Sequence, residues 1–149
     1  MVIDYKEQGR KNRIKGLSFE LKIRRDLEKQ KWIVSKWQNN LDYPDNNINL
    51  PPEKRKDYKC VPAKMGVYRT NQNGFPDFIC YKKNKGAKGI TRGFGDIGFK
   101  IIFVEVKTKG YLVKEEKEKA LWYLENGYCS EFYVASELNK EIKYKRILK

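Results

Sequence analysis

At 149 residues, with 40% hydrophobic and 13% aromatic content, the chain suffices for one domain, residues 1–149, that buries about two thirds of its unfolded surface. Its 33 Lys+Arg against 19 Asp+Glu, a formal charge of +14, set up a positive field suited to polyanions, nucleic acid above all. Histidine is absent and the three cysteines, Cys60, Cys80 and Cys129, show no CxxC spacing, which excludes Ser-His-Asp and Cys-His catalysis, His-ligated metals, disulfide frameworks and zinc ribbons.

The opening MVIDYKEQGRKNRIKG has no apolar segment of the kind a secretion signal needs, and no apolar run reaches about 18 residues, so neither export nor a membrane span is expected. Free cysteines in or near apolar runs fit a reducing, cytoplasmic setting. From Ser18 to about Lys31, SFELKIRRDLEKQK places Phe19, Ile23 and Leu27 at i, i+4 and i+8, which predicts an amphipathic helix with Ser18 as N-cap. At about 100° per residue, Glu20 falls within about 20° of Leu27 and so leans with the apolar stripe.

Trp32 to Trp37 reads as a strand. Residues 38–73 carry Pro44, Pro51, Pro52, Pro62 and several Asn, with little periodicity beyond Met65-Gly66-Val67-Tyr68. They are expected to form a long basic loop insertion, suited to a phosphate backbone. DFICYK, from Asp77 to Lys82, predicts a short strand, and residues 83–100 form a second Gly- and Lys-rich insertion. There Lys82, Lys83, Lys85, Lys88 and Arg92 are candidate nucleic-acid contacts, with Lys109 beyond the next strand. Gly93 to Gly98, GFGDIG, matches GxGxxG but neither follows a strand nor opens a helix, so it is not a dinucleotide fingerprint.

Ile101 to Thr108 is the strongest strand. By period two, Ile101, Phe103, Glu105 and Lys107 share one face and Ile102, Val104 and Val106 the other. A second helix is expected from Lys114 to Asn126, stopped by Gly127, with Glu116 on its apolar side. Phe132 to Ala135 and Ile142 to Leu148 close the chain as strands. This order predicts an α/β class with a mixed β-sheet flanked by α-helices.

The segments GFPDFI and FVEVKTK set two carboxylates and a lysine among apolar strand formers. A hairpin pairing brings Asp77 and Glu105 together, and two carboxylates that close need a cation between them. Oxygen donors select Mg²⁺, with Mn²⁺ as its usual substitute. Such an ion polarises a phosphate and acidifies a bound water, while Lys107 is placed to position or deprotonate that water, or to stabilise charge on the phosphate. The chemistry indicated is phosphodiester hydrolysis.

Pro76-Asp77 followed by Glu105-Val106-Lys107 resembles the PD-(D/E)xK nuclease superfamily, and KGLSFELKIRRDL resembles the first helix of archaeal Holliday junction resolvases. The stretches GFPDFICYKK, FVEVKTKGYLVKEEKEKALWYLENG and FYVAS look most like the resolvase-like and VRR-NUC branches. The resemblance implies a restriction-endonuclease-like sheet, Mg²⁺-dependent cleavage of DNA with branched substrates in repair or recombination, and a homodimer as one arrangement. It implies metal ligation by Asp77, Glu105 and Glu20, with Lys107 as catalytic lysine. Where Glu116 stands, those branches commonly have glutamine, which leaves it as an outer-shell acid or a helix-start glutamate. It does not cover residues 38–73.

Two other readings stay open at this level: a catalytically inactive nucleic-acid-binding protein on a nuclease fold, and a site-specific restriction-type endonuclease, since recognition loops vary on one core. RNA processing is disfavoured by the missing histidine and the lack of an RNP-type aromatic motif.

Overall fold

The computed structural model describes residues 4–42, 58–63, 74–83 and 98–149. Helix α1 (Tyr5–Lys29) begins where the Asp4 carboxylate accepts the backbone N–H of Lys6 at 2.9 Å and of Glu7 at 3.2 Å, satisfying two donors of the first turn. The cap is therefore Asp4 and not Ser18, which lies inside the helix. Residues 5–17 have no apolar repeat for periodicity to register, yet their Lys, Arg, Glu and Gln are good helix formers, and a Lys11–Glu7 pair at 2.9 Å braces the exposed surface.

Strands β1 (Ile33–Lys36), β2 (Asn39–Asp42), β3 (Lys59–Pro62), β4 (Phe78–Lys83) and β5 (Phe99–Val106) follow. Helix α2 (Lys114–Glu125) and strands β6 (Glu131–Leu138) and β7 (Glu141–Ile147) complete the chain. The result is an α/β arrangement with a mixed five-stranded sheet in the order β1-β4-β5-β6-β7. Only β5 and β6 pair in parallel, and α2 is the crossover that such a connection needs; the other neighbours in this sheet are antiparallel.

The stretch 38–73 is not loop throughout. β2 and β3 pair antiparallel as a second, two-stranded sheet, Asn39 opposite Pro62 and Asp42 opposite Lys59. Their Asn- and Pro-containing sequence has no strand pattern; burial of Leu41 and hydrogen bonds from Ala63 N–H to the Gln38 carbonyl (2.8 Å) and from Phe75 N–H to the Asn39 carbonyl (2.9 Å) fix the pair in place. The second insertion is also shorter than 83–100, because Lys83 and Phe99 are paired residues of β4 and β5. Met65 to Tyr68, Lys85, Lys88, Arg92 and the GFGDIG stretch up to Ile97 lie outside the described residues.

Each face of the main sheet carries its own core. Under α1 lie Ile23, Leu27, Val34, Phe78, Cys80, Ile102, Val104 and Ala135. Against α2 and the small sheet lie Leu41, Phe75, Phe103, Ala120, Tyr123, Leu124, Cys129 and Phe132. The alternation expected along β5 holds: Phe103 belongs to the α2 side, Ile102 and Val104 to the α1 side. Cys60, Cys80 and Cys129 are all free thiols. The β6–β7 hairpin is longer than the pattern suggested, because Asn139 and Lys140 turn with φ of 51° and 65° without the glycine that usually flags such a turn. Among the described residues no helix is long and apolar enough to cross a membrane.

Candidate active site

Antiparallel pairing of Phe78 with Val104 sets Asp77 opposite Glu105 at the end of the β4–β5 ladder. Each carboxylate is tied to the other strand's backbone. Glu105 Oε2 accepts the Asp77 N–H at 3.0 Å and Asp77 Oδ2 accepts the Val106 N–H at 2.8 Å. These bonds aim the remaining oxygens, Asp77 Oδ1 and Glu105 Oε1, at the lysines beside them: Lys36 Nζ stands 3.6 Å from Asp77 Oδ1 and Lys107 Nζ 3.1 Å from Glu105 Oε1.

The helices supply the flanks. Glu20 of α1, half-buried as its wheel position implies, pairs with Lys36. Glu116 of α2 accepts from Lys107 Nζ at 2.6 Å through one oxygen and from the Val113 N–H at 3.1 Å through the other. Glu116 is thus both the partner of Lys107 and a brace on the helix start. Lys36 is the residue that sequence reasoning missed. The signal was present: two residues after Val34 in a strand, it shares that core-facing side, and its Nζ lies 5.2 Å from the centroid of the Phe78 ring.

The segment entering the site is held from behind. The buried Tyr123 hydroxyl donates to the Phe75 carbonyl at 2.9 Å and accepts from Trp37 Nε1 at 3.3 Å, while the Phe75 ring stacks on Phe132 at 5.7 Å. Gly74 lies so close to β1 that a Cβ there would stand 2.2 Å from the Trp37 carbonyl oxygen. Among the described residues no buried side-chain nitrogen or oxygen lacks a partner.

Burial decides the electrostatics. Glu105 is only 6% exposed, and desolvation together with the Asp77 charge pushes its carboxyl up to about 8 against the pull of Lys107. Asp77 is raised as well: desolvation and the nearby Glu20 outweigh the Val106 amide, Lys36 and Lys107. Burial alone would lower both lysines, but the hydrogen bonds that Lys36 donates to Glu20 and Lys107 donates to Glu116, with the surrounding carboxylate charge, hold both above the ordinary lysine value. Four carboxylates therefore surround two firmly protonated lysines, and full ionisation leaves two negative charges unmatched.

A divalent cation would offset such a deficit. Among the described residues no three His, Cys, Asp or Glu side chains form a ready-made cage. Mg²⁺, however, is ordinarily held by one or two carboxylates plus water and phosphate, and the Asp77–Glu105 pair is a donor set of that kind. Other sequence candidates stand apart. Lys82 and Lys83 lie at the opposite end of β4, with Lys82 Nζ 4.2 Å from the centroid of the Trp32 ring, whereas exposed Lys109 follows the end of β5 near Lys107. Comparison with protein-family models, curated proteins and solved structures finds no match for the chain.

Proposed function

We propose that this chain is a Mg²⁺-dependent DNA endonuclease of the PD-(D/E)xK kind, acting on branched DNA in the manner of a junction resolvase. The observation that carries the reading is the pairing of Asp77 with Glu105, each fixed by the other strand's amide, beside a lysine two residues after Glu105, just past the end of β5. The +14 charge supports a polyanionic substrate. Asp77 and Glu105 would hold the cation, with Glu20 completing the acidic wall; a bound ion there supplies polarisation of the scissile phosphate and a more acidic water.

The remaining work falls to the chain's own groups. Lys107, kept protonated by Glu105 and Glu116, acts as a fixed positive charge for the developing phosphorane oxygens and as a hydrogen-bond donor orienting the attacking water. Its raised pKa argues against a role as the base that deprotonates that water. Lys36 offsets part of the charge of Glu20 and Asp77, which eases the approach of substrate phosphate to the acidic wall.

The test is cleavage of labelled four-way junction, flap, single-stranded and linear DNA with Mg²⁺, Mn²⁺ or EDTA. Asp77→Ala is expected to reduce cutting by about 10³-fold or more while leaving binding within about threefold. Cutting that survives the substitution or EDTA would remove this site from consideration. Binding without cutting under any metal would leave a nucleic-acid-binding protein.

A further inference from the structure

We propose, building on the DNA reading, that the N-terminal half of α1 is a rail for the phosphate backbone leading out of the acidic site. Among the described residues, α1 is held to the body by its second half. Ile23 and Leu27 are in the core, Tyr144 Oη donates to Asp26 Oδ2 at 2.7 Å, Arg24 Nη2 donates to the Val34 carbonyl at 3.1 Å, and Lys22 pairs with Glu137. Residues 4–15 are exposed throughout. Twelve helical residues, Tyr5 to Gly16, thus project beyond the anchored part over roughly 18 Å.

The overhang is aligned with the site. Lys6, Arg13 and Glu20 are spaced seven apart, so they fall on one line of the helix with a drift of about 20° per step, and Arg10 lies beside that line. The line that delivers Glu20 to the acidic wall therefore continues outward as positive charge, with Arg13 about 10 Å and Lys6 about 21 Å along the axis. Ion pairs of α1 among the described residues engage Glu7, Lys11, Glu20, Lys22, Arg24 and Glu28, and leave Lys6, Arg10 and Arg13, together with the off-line Lys15, outside any such pair. Lys6 stands in the first turn, where the helix dipole disfavours a cation, so helix stability is no reason for its charge.

The occupant this charge fits is a DNA strand. Between Tyr5 and Gly16 stand five Lys/Arg residues against the single acid Glu7. A duplex carries one phosphate charge per about 1.7 Å of its axis, both strands counted, so a duplex lying along the overhang from Asp77 and Glu105 presents phosphates over the roughly 10 to 21 Å at which Arg13 and Lys6 stand. The neighbouring face of the helix exposes Ile14, Leu17 and Leu21, which offers a second chain as the rival occupant.

The deciding experiment measures binding of a labelled linear DNA duplex to the full chain in EDTA across a salt series. It compares two charge-matched variants, Lys6→Gln/Arg13→Gln on the line and Lys11→Gln/Lys15→Gln off it, with helix content checked by circular dichroism. The on-line pair is expected to weaken binding about tenfold or more at 0.1 M salt and to flatten the salt slope by about 1 to 2, the off-line pair to change affinity less than about threefold. Equal losses in the two variants, or no loss in the first, overturn the rail. Sedimentation of Ile14→Ser/Leu17→Ser gives a second reading: loss of self-association there, with DNA binding indifferent to Lys6 and Arg13, assigns the overhang to a second copy instead. Because EDTA stops metal-dependent cutting, failure here leaves the Asp77 cleavage result standing, and failure of cleavage leaves the rail as a binding element.

Discussion

A carboxylate at position 105 is costly to the fold, and that cost has a direction in pH. Its pKa is raised from 4.5 to about 8, so the folded state holds the proton more tightly than the unfolded chain does. The resulting stability is complete below about 4.5 and is lost as pH climbs toward 8. Glu105→Gln keeps an acceptor for the Asp77 N–H but removes the ionisation. In EDTA the variant is expected to melt about 3–8 °C above the wild type at pH 9, with the gap shrinking toward pH 5, as calorimetry will read. Mg²⁺ at pH 8 is expected to raise the melting temperature of the wild type and not of the variant, since only the wild type gains a compensating ligand. A variant less stable than wild type at pH 9 would show that Glu105 is held by its lysine more than it is strained by burial.

At the scale of elements, the site depends on how β4 is delivered to β1. The Trp37 N–H donates to the Asp77 carbonyl at 3.0 Å, and the preceding Gly74 packs directly on the Trp37 carbonyl. Backbone meets backbone there, so an added methyl cannot be absorbed by a side chain turning aside. Gly74→Ala is expected to cost about 1–3 kcal/mol in urea unfolding and to lower activity by displacing Asp77. Unchanged stability would mean that the 74–77 segment shifts freely and that the carboxylate pair is less rigid than its hydrogen bonds indicate. The same scale explains why β2 and β3 escaped sequence reading: a strand of Asn-Asn-Leu-Asp is specified by a neighbour's hydrogen bonds and one buried leucine, not by its own pattern.

For the whole molecule, charge is segregated: a small acidic centre sits in a chain of net charge +14, flanked by cations on α1 and beyond β5. A surface that neutralises six or more phosphates loses about 10³-fold or more in affinity between 50 and 200 mM salt. That steep dependence is expected for linear duplex DNA in anisotropy titrations in EDTA. A shallow slope of about one or two would confine the contacts to the acidic site's immediate rim.

The sequence by itself determined the α/β class, the alternation that puts Glu105 and Lys107 on one side of β5, the inward lean of Glu20 and the end of α2 at Gly127, because each follows from local periodicity or backbone preference. It also singled out Asp77 and Glu105, since carboxylates are conspicuous among strand-forming apolar residues. Only the tertiary structure decided that these two stand opposite one another with reciprocal amide bonds, that Lys36 bridges Glu20 and Asp77, and that Glu116 grips Lys107. Those relations join residues of α1, β1, β5, α2 and the segment entering β4, and no spacing along the chain encodes a distance across a sheet. The length of α1 was hidden for the complementary reason: its first eleven residues bury nothing, so they form a helix on cap and propensity alone, and hydrophobic pattern is silent where there is no core to face.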